Sequence, residues 1–248
     1  MSYDYTLAGP IGHRACLGLL TLQTDETIEH DFRRLMPSDG VALYVSRVES
    51  GLVVTSDMLA DMARTIPTAA GLFPAPISFD VVGYGCTSGT SVIGPAKIAE
   101  LAKGACKTKE VTEPISALLA AAKHLGVSRM AFLSPYIEAV SGHLRDVLKA
   151  GGLDSVAFGS FDEAEDAKVA RIDPSSIAAA AIDLGRAEEA DCLFMSCTNL
   201  RTLDVIAEIE EALGKPVLSS NQVLAWDMAR HAGLTLSHPG MGKLLSGE

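Results

Sequence analysis

The chain has 248 residues, 48% of them hydrophobic, with 22 glycines and only 5% aromatics, which is enough to bury a core without disulfide or metal staples. Its formal net charge of −11 and the lack of any Lys/Arg run argue against a nucleic-acid partner, because that binding requires basic side chains to neutralise phosphates. A small anion is compatible with this charge only if local amides and hydroxyls hold it.

In chain order, the first apolar run is ACLGLLTL at 15–22, followed at once by QTDETIEHD. It lacks signal-peptide grammar and is too short to span a bilayer, so a cytoplasmic protein with no membrane partner is expected. A helix should begin near Thr27. Strand VALYVSRV precedes a helix near 56–65, and strand FDVVGYG precedes a helix opened by Pro95. At Thr112-Glu113-Pro114 the helix-start signals are dense; Thr112 is the candidate cap, and Gly126 stops the helix. Strand RMAFLS (129–134) follows, then a helix opened by Pro135-Tyr136 and closed by Gly151-Gly152. Next come strand SVAFGSF, a helix from Pro174 to Gly185, strand DCLFMS and helix LDVIAEIEEALG. PVLSSNQVLAWDMARHAG (216–233) reads as a strand, a polar turn and a helix that crosses back to the first lobe.

Repeated β-then-α order predicts an α/β protein of two Rossmann-like lobes with parallel sheets, the site lying between them. The expected boundaries are 1–115 plus 219–248 for the first lobe and 116–218 for the second.

Two matching segments, VVGYGCTSGT and DCLFMSCTNLRT, each place a cysteine after an apolar strand and before a helical pattern; Cys86 and Cys197 lie 111 residues apart. At a helix amino terminus a thiol should have a lowered pKa and more thiolate. The bland alternative, two inert core cysteines, sits poorly with two parallel settings. Five cysteines, odd in number and without tight spacing, favour free thiols, and no Cys/His spacing resembles a metal site, so no metal is expected.

The motifs GYGCTSGTSVIG, FLSPYIEAV, ARIDP and the stretch from SCTNLRT to ARHAG resemble the aspartate/glutamate racemase superfamily, in its branch of arylmalonate decarboxylases and maleate cis–trans isomerases. The resemblance implies two lobes related by pseudo-twofold symmetry that close over a small carboxylate, without metal or organic cofactor. It makes Cys86 and Cys197 facing catalytic thiols. Thr87, Ser88 and Tyr136, with the backbone amides of Thr198 and Asn199, would hold the carboxylate, and the same donors can stabilise an enediolate. A homo-oligomer is expected.

Arylmalonate decarboxylases have glycine where Cys86 stands. Two thiols therefore favour a two-faced reaction, racemisation or alkene isomerisation, over decarboxylation of a malonate derivative with Cys197 as proton donor. A non-enzymatic carboxylate-binding protein is the alternative of another class. The resembling isomerases carry Pro-Ser-Ser-Asn after the first strand, whereas Leu22, Gln23, Thr24 and Asp25 stand here. Asp25 would repel a dicarboxylate and suit an amino substituent. Helix capping by Asp25 is an equally good reading. The TDETIE segment also resembles racemase-like proteins associated with ectoine breakdown. Asp166 reads as part of a solvated acidic loop, His13 as an exposed loop residue, and no histidine is assigned a role.

Overall fold

In the computed structural model, which describes residues 1–246, eight strands form two four-stranded sheets wired identically. The first holds β1 (Ala15–Leu22), β2 (Val41–Val48), β3 (Phe79–Gly85) and β4 (Thr108–Thr112) in the order β2-β1-β3-β4. The second holds β5 (Arg129–Tyr136), β6 (Asp154–Glu163), β7 (Cys192–Met195) and β8 (Val217–Ser219) in the order β6-β5-β7-β8. Every strand pair is parallel. Parallel neighbours need crossovers, and helices supply them, covering both faces of the central strands. Hence every residue of β1 is buried, although its sequence has no alternation.

The crossovers of the first sheet are α1 (Ile28–Leu35), α2 (Ser56–Gly71), and the pair α3 (Thr87–Ile93) and α4 (Pro95–Ala105). Helix α1 buries Ile28, Asp31, Phe32 and Leu35, the i, i+3, i+4, i+7 stripe of a helix with one face on a sheet. Helix α5 (Pro114–Leu125) leads into the second sheet, whose helices are α6 (Glu138–Ala150), the short α7 (Asp166–Val169), α8 (Pro174–Gly185) and α9 (Ile206–Leu213). The last helix, α10 (Ser220–His231), packs on β3, α1 and α5. Its approach to β3 requires Gly83: a Cβ there would lie 2.3 Å from the Met228 sulfur.

Several local expectations need correction. Thr112 ends a strand, β4, that the polar TKEVT sequence concealed, and the cap of α5 is Glu113, whose carboxylate accepts from the Ile115 and Ser116 N–H groups. Helix α2 continues through Pro67 to Gly71, well past residue 65. Tyr136 ends β5 and does not open a helix; α6 starts at Glu138. Pro135 is tolerated because the β5–β6 register shifts between Ser134 and Tyr136, where no ladder N–H is demanded of it. No helix follows Cys197 directly: a turn leads to a single 3-10 turn at Leu203–Val205 and then α9.

Among the described residues, no helix is long and apolar enough to cross a membrane. The carboxyl ends of β1 and β3 meet those of β5 and β7, and the contacts across this seam are polar. Thr24 Oγ1 donates to Asp166 Oδ2 at 2.5 Å, Thr27 Oγ1 to the Asn199 carbonyl at 2.9 Å, and Thr87 Oγ1 to Ser220 Oγ at 2.8 Å.

Candidate active site

Strand β3 ends at Gly85, and Cys86 caps α3, its Sγ accepting the Gly89 N–H at 3.1 Å. The cap satisfies one of the donors that a first helical turn leaves unpaired. The N–H groups of Thr87 and Ser88, in the first turn of the helix, have no intrahelical acceptor. Gly89 is needed for closeness, since a Cβ there would lie 2.9 Å from Cys86 Sγ and 2.8 Å from the Tyr84 hydroxyl. Thr87 donates to Ser220, whereas Ser88 Oγ makes no side-chain hydrogen bond within the described residues.

The second thiol is held differently. Cys197 has φ 107°, a left-handed value that costs a residue with a Cβ about 1–3 kcal/mol and persists only where the surroundings enforce it. They do so through several bonds. The Cys197 N–H donates to Ser220 Oγ at 3.0 Å, Asn221 Nδ2 donates to the Thr198 carbonyl at 2.8 Å, and Asn199 Oδ1 accepts the Glu26 N–H at 2.8 Å. The Cys197 sulfur lies 3.2 Å from the Tyr136 hydroxyl and 3.4 Å from the Asn199 N–H.

Tyr136 also donates to Asp166 Oδ1 at 2.7 Å. A phenol carries one proton, so while it serves Asp166 its oxygen can only accept from a Cys197 thiol, and it must turn to donate to a thiolate. Asp166, expected in a solvated loop, is 3% exposed and belongs to the site. Asp25 is 4% exposed; its Oδ1 accepts the Thr27 and Ile28 N–H groups at 2.8 Å each, so it does cap α1. The same residue faces the thiols. The cavity is lined by Asp25, Cys86, Thr87, Ser88, Tyr136, Asp166, Cys197, Thr198 and Asn199, closed over by Leu22, Val54, Met58 and Leu59. All eight residues singled out in the sequence therefore come together. Among the described residues, no three His, Cys, Asp or Glu side chains are grouped so as to hold a metal ion.

The expected lowering of the thiol pKa values is overturned. Burial pushes Cys86 up to about 12; the Gly89 N–H and the Tyr84 hydroxyl pull it down, while Asp166 and Asp25 push it further up. Burial also pushes Cys197 well above the ordinary value, with Asp166 adding to it against hydrogen bonds from Tyr136 and the Asn199 N–H. A helix terminus offers part of a charge, and desolvation outweighs it. Burial raises Asp25 to about 6, opposed by the Ile28 N–H, Thr198 and the Thr27 N–H.

The closed cavity offers about 20 Å³, room for one water. The segment over it is tied to the second half by an antiparallel bridge between Val53 and Glu165, by Val54 N–H to the Ala164 carbonyl at 3.1 Å, and by Asp166 N–H to the Leu52 carbonyl at 3.3 Å. A substrate enters only if these part.

Sequence reasoning missed three supports. Ser220 bonds both cysteine turns, Asn221 links Asp31 Oδ2 (2.7 Å) to the Thr198 carbonyl, and Asp166 anchors Tyr136. The polar Ser-Asn-Gln run before an apolar helix was the available signal for the first two.

The arylmalonate decarboxylase family model matches residues 98–245. The chain is 33% identical to the arylmalonate decarboxylase of Bordetella bronchiseptica over 135 residues, 52% of this chain and 55% of that protein. It is 24% identical to a maleate isomerase of Pseudomonas putida over 237 residues, 92% and 93% of the two chains. In fold it resembles a cysteine-substituted maleate cis–trans isomerase of Nocardia farcinica, solved with a covalently bound succinylcysteine intermediate. That match has a TM-score of 0.82 and 23% identity, covering 94% of this chain and 99% of the other.

Proposed function

We propose that this chain, which belongs to the arylmalonate decarboxylase family, is a cofactor-independent isomerase or racemase of a small carboxylate, with Cys86 and Cys197 as its two reacting groups. The observation that carries the reading is two thiols lining one closed cavity together with hydroxyl and amide donors.

In this reading the Ser88 hydroxyl and the N–H groups of Thr87 and Ser88 hold the substrate carboxylate, and they bind it more tightly as negative charge grows on its oxygens during carbanion formation. For racemisation, one cysteine as thiolate takes the α-proton while the other, as thiol, returns a proton to the opposite face; the two then exchange roles for the reverse direction. For alkene isomerisation, one thiolate forms a C–S bond, the electron pair moves onto the adjacent carbon and its carboxylate, the C–C bond rotates, and the thiolate leaves. The succinylcysteine adduct in the Nocardia farcinica isomerase supports the second route as chemistry available to this fold. Either route needs a thiolate that burial disfavours, so the charge must be supplied or released when substrate binds. Tyr136 assists by turning its proton from Asp166 to the Cys197 sulfur.

Decarboxylation with Cys197 as proton donor is the second reading, favoured by the family match. The test is NMR in deuterated water across saturated and unsaturated dicarboxylates, amino acids, N-acyl amino acids and malonate derivatives, reading α-proton exchange for racemisation and cis–trans interconversion for the alkene route. Exchange or cis–trans interconversion without loss of carbon dioxide supports the isomerase reading. Stoichiometric carbon dioxide release from a malonate would replace it.

A further inference from the structure

Every ionisable side chain lining the cavity is an acid or a neutral acid-to-be: Asp25, Asp166, Tyr136 and the two cysteines, with no Lys, Arg or His among them. Asp166 has both oxygens engaged, by Tyr136 and Thr24. Asp25 does not. Its Oδ1 takes two helix N–H groups, whereas Oδ2 is buried without a hydrogen-bond partner; the Thr198 hydroxyl, near enough to lower the Asp25 pKa, donates instead to the Gly85 carbonyl at 3.3 Å. A buried carboxylate oxygen left unpaired is costly and calls for a donor, best a charged one.

From this geometry we infer that the substrate carries a free ammonium group, donated to Asp25 Oδ2, beside the carboxylate held at the Cys86 turn; the substrate class is an amino-bearing carboxylate. The inference rests on the proposed carboxylate chemistry and narrows it. A plain dicarboxylate would place like charges against Asp25 and Asp166 in a site with room for a single water, where screening is weak. An ammonium does the reverse. Its single positive charge offsets part of the field of the two carboxylates that push both thiols toward protonation, so ligand binding itself favours the thiolate the reaction requires. A neutral N-acyl derivative would have neither effect.

The charge selection can be read without knowing the substrate, using thiol-specific methanethiosulfonates that differ only in charge. The cationic 2-aminoethyl and anionic 2-sulfonatoethyl reagents are compared by their rates at Cys86 and Cys197, assigned by peptide mass. Each pair of rates is normalised to free cysteine. The expected result is a cation preference of about tenfold or more, reduced at least threefold in Asp25→Asn and unchanged in the exposed-site control Asp57→Asn. Asparagine caps a helix as well as aspartate, so α1 should survive; Asp166→Asn provides a second variant with the same expected direction. No preference over free cysteine, a preference insensitive to both pocket variants, or no modification by the cation overturns the inference. Failure of the isomerase reading is seen separately, as absence of both isotope exchange and cis–trans interconversion in a site that still selects cations.

Discussion

Replacing Ser220 by alanine should damage both cysteine turns at once. Its hydroxyl oxygen accepts from the Cys197 N–H at 3.0 Å and from Thr87 Oγ1 at 2.8 Å, and the residue is fully buried. Alanine leaves the Cys197 N–H without a partner in a place water cannot reach, which costs about 1–3 kcal/mol. The Thr87 hydroxyl can rotate to another acceptor, so its loss adds less. Taking about 2 kcal/mol in total, a domain of this size should lose roughly 4–8 °C of Tm. The backbone at Cys197 is held at φ 107° by these bonds, so part of the strain will relax by moving the sulfur. A misplacement on the order of 1 Å can cost about a hundredfold in turnover. Thermal unfolding and isotope-exchange rates measured on Ser220→Ala and Ser220→Thr test this, the threonine keeping the hydroxyl and much of the activity. If Ser220→Ala melts with the wild type and exchanges at the wild-type rate, Ser220 does not position the turns.

Tyr136→Phe removes the proton shared between Asp166 and Cys197, so turnover should fall roughly ten to a thousandfold, and the buried Asp166 oxygen left without its donor should cost about 1–3 kcal/mol of stability, the two effects read from the exchange rate and the thermal midpoint. Gly89→Ala forces a methyl against Cys86 Sγ and should lower turnover while the fold persists; circular dichroism together with the exchange rate separates the two effects. Asp31 is raised to about 7, chiefly by burial, with Asn221 and Arg34 opposing. A folded pKa above the unfolded value of about 3.9 means the folded chain binds the extra proton, so this contribution is most favourable at low pH and is lost as pH rises through 7. Between pH 5.5 and 8 Asp31 alone should cost about 2 kcal/mol of stability, and Asp31→Asn should flatten that slope in urea titrations at the two pH values.

Much of the architecture was legible because central parallel strands announce themselves: ACLGLLTL, FDVVGYG and DCLFMS each hold a mostly apolar run that is buried on both faces. Strand β4 was not, because TKEVT lies at a sheet edge where only one neighbour and part of one face are covered. Pro135 read as a helix opener since its tolerance in β5 depends on a register shift with a partner strand that local sequence does not reveal. The cysteine motifs located the site, yet not its electrostatics. A helix-terminus argument counts the dipole visible in sequence, whereas the desolvation that raises both thiols comes from residues far along the chain. Asp166 is the clearest case: its neighbours Glu163, Glu165 and Lys168 suggest solvent, but Thr24 and Tyr136, 142 and 30 residues away, draw it inside.

The central claim is that two thiols act on opposite faces of one carbon, and single-cysteine variants test it most directly. Cys86→Ala and Cys197→Ala are assayed with each enantiomer, or each geometric isomer, of the compound that the wild type interconverts. For a racemase, neither variant should interconvert the enantiomers, and each should still exchange the α-proton of the one enantiomer whose hydrogen faces its remaining thiol, the two variants choosing opposite enantiomers. For an alkene isomerase, loss of the adding thiolate should abolish turnover, and the other variant should accumulate a thioether adduct visible by mass. Near-normal turnover in both variants would contradict the account, since neither thiol would then be a reacting group.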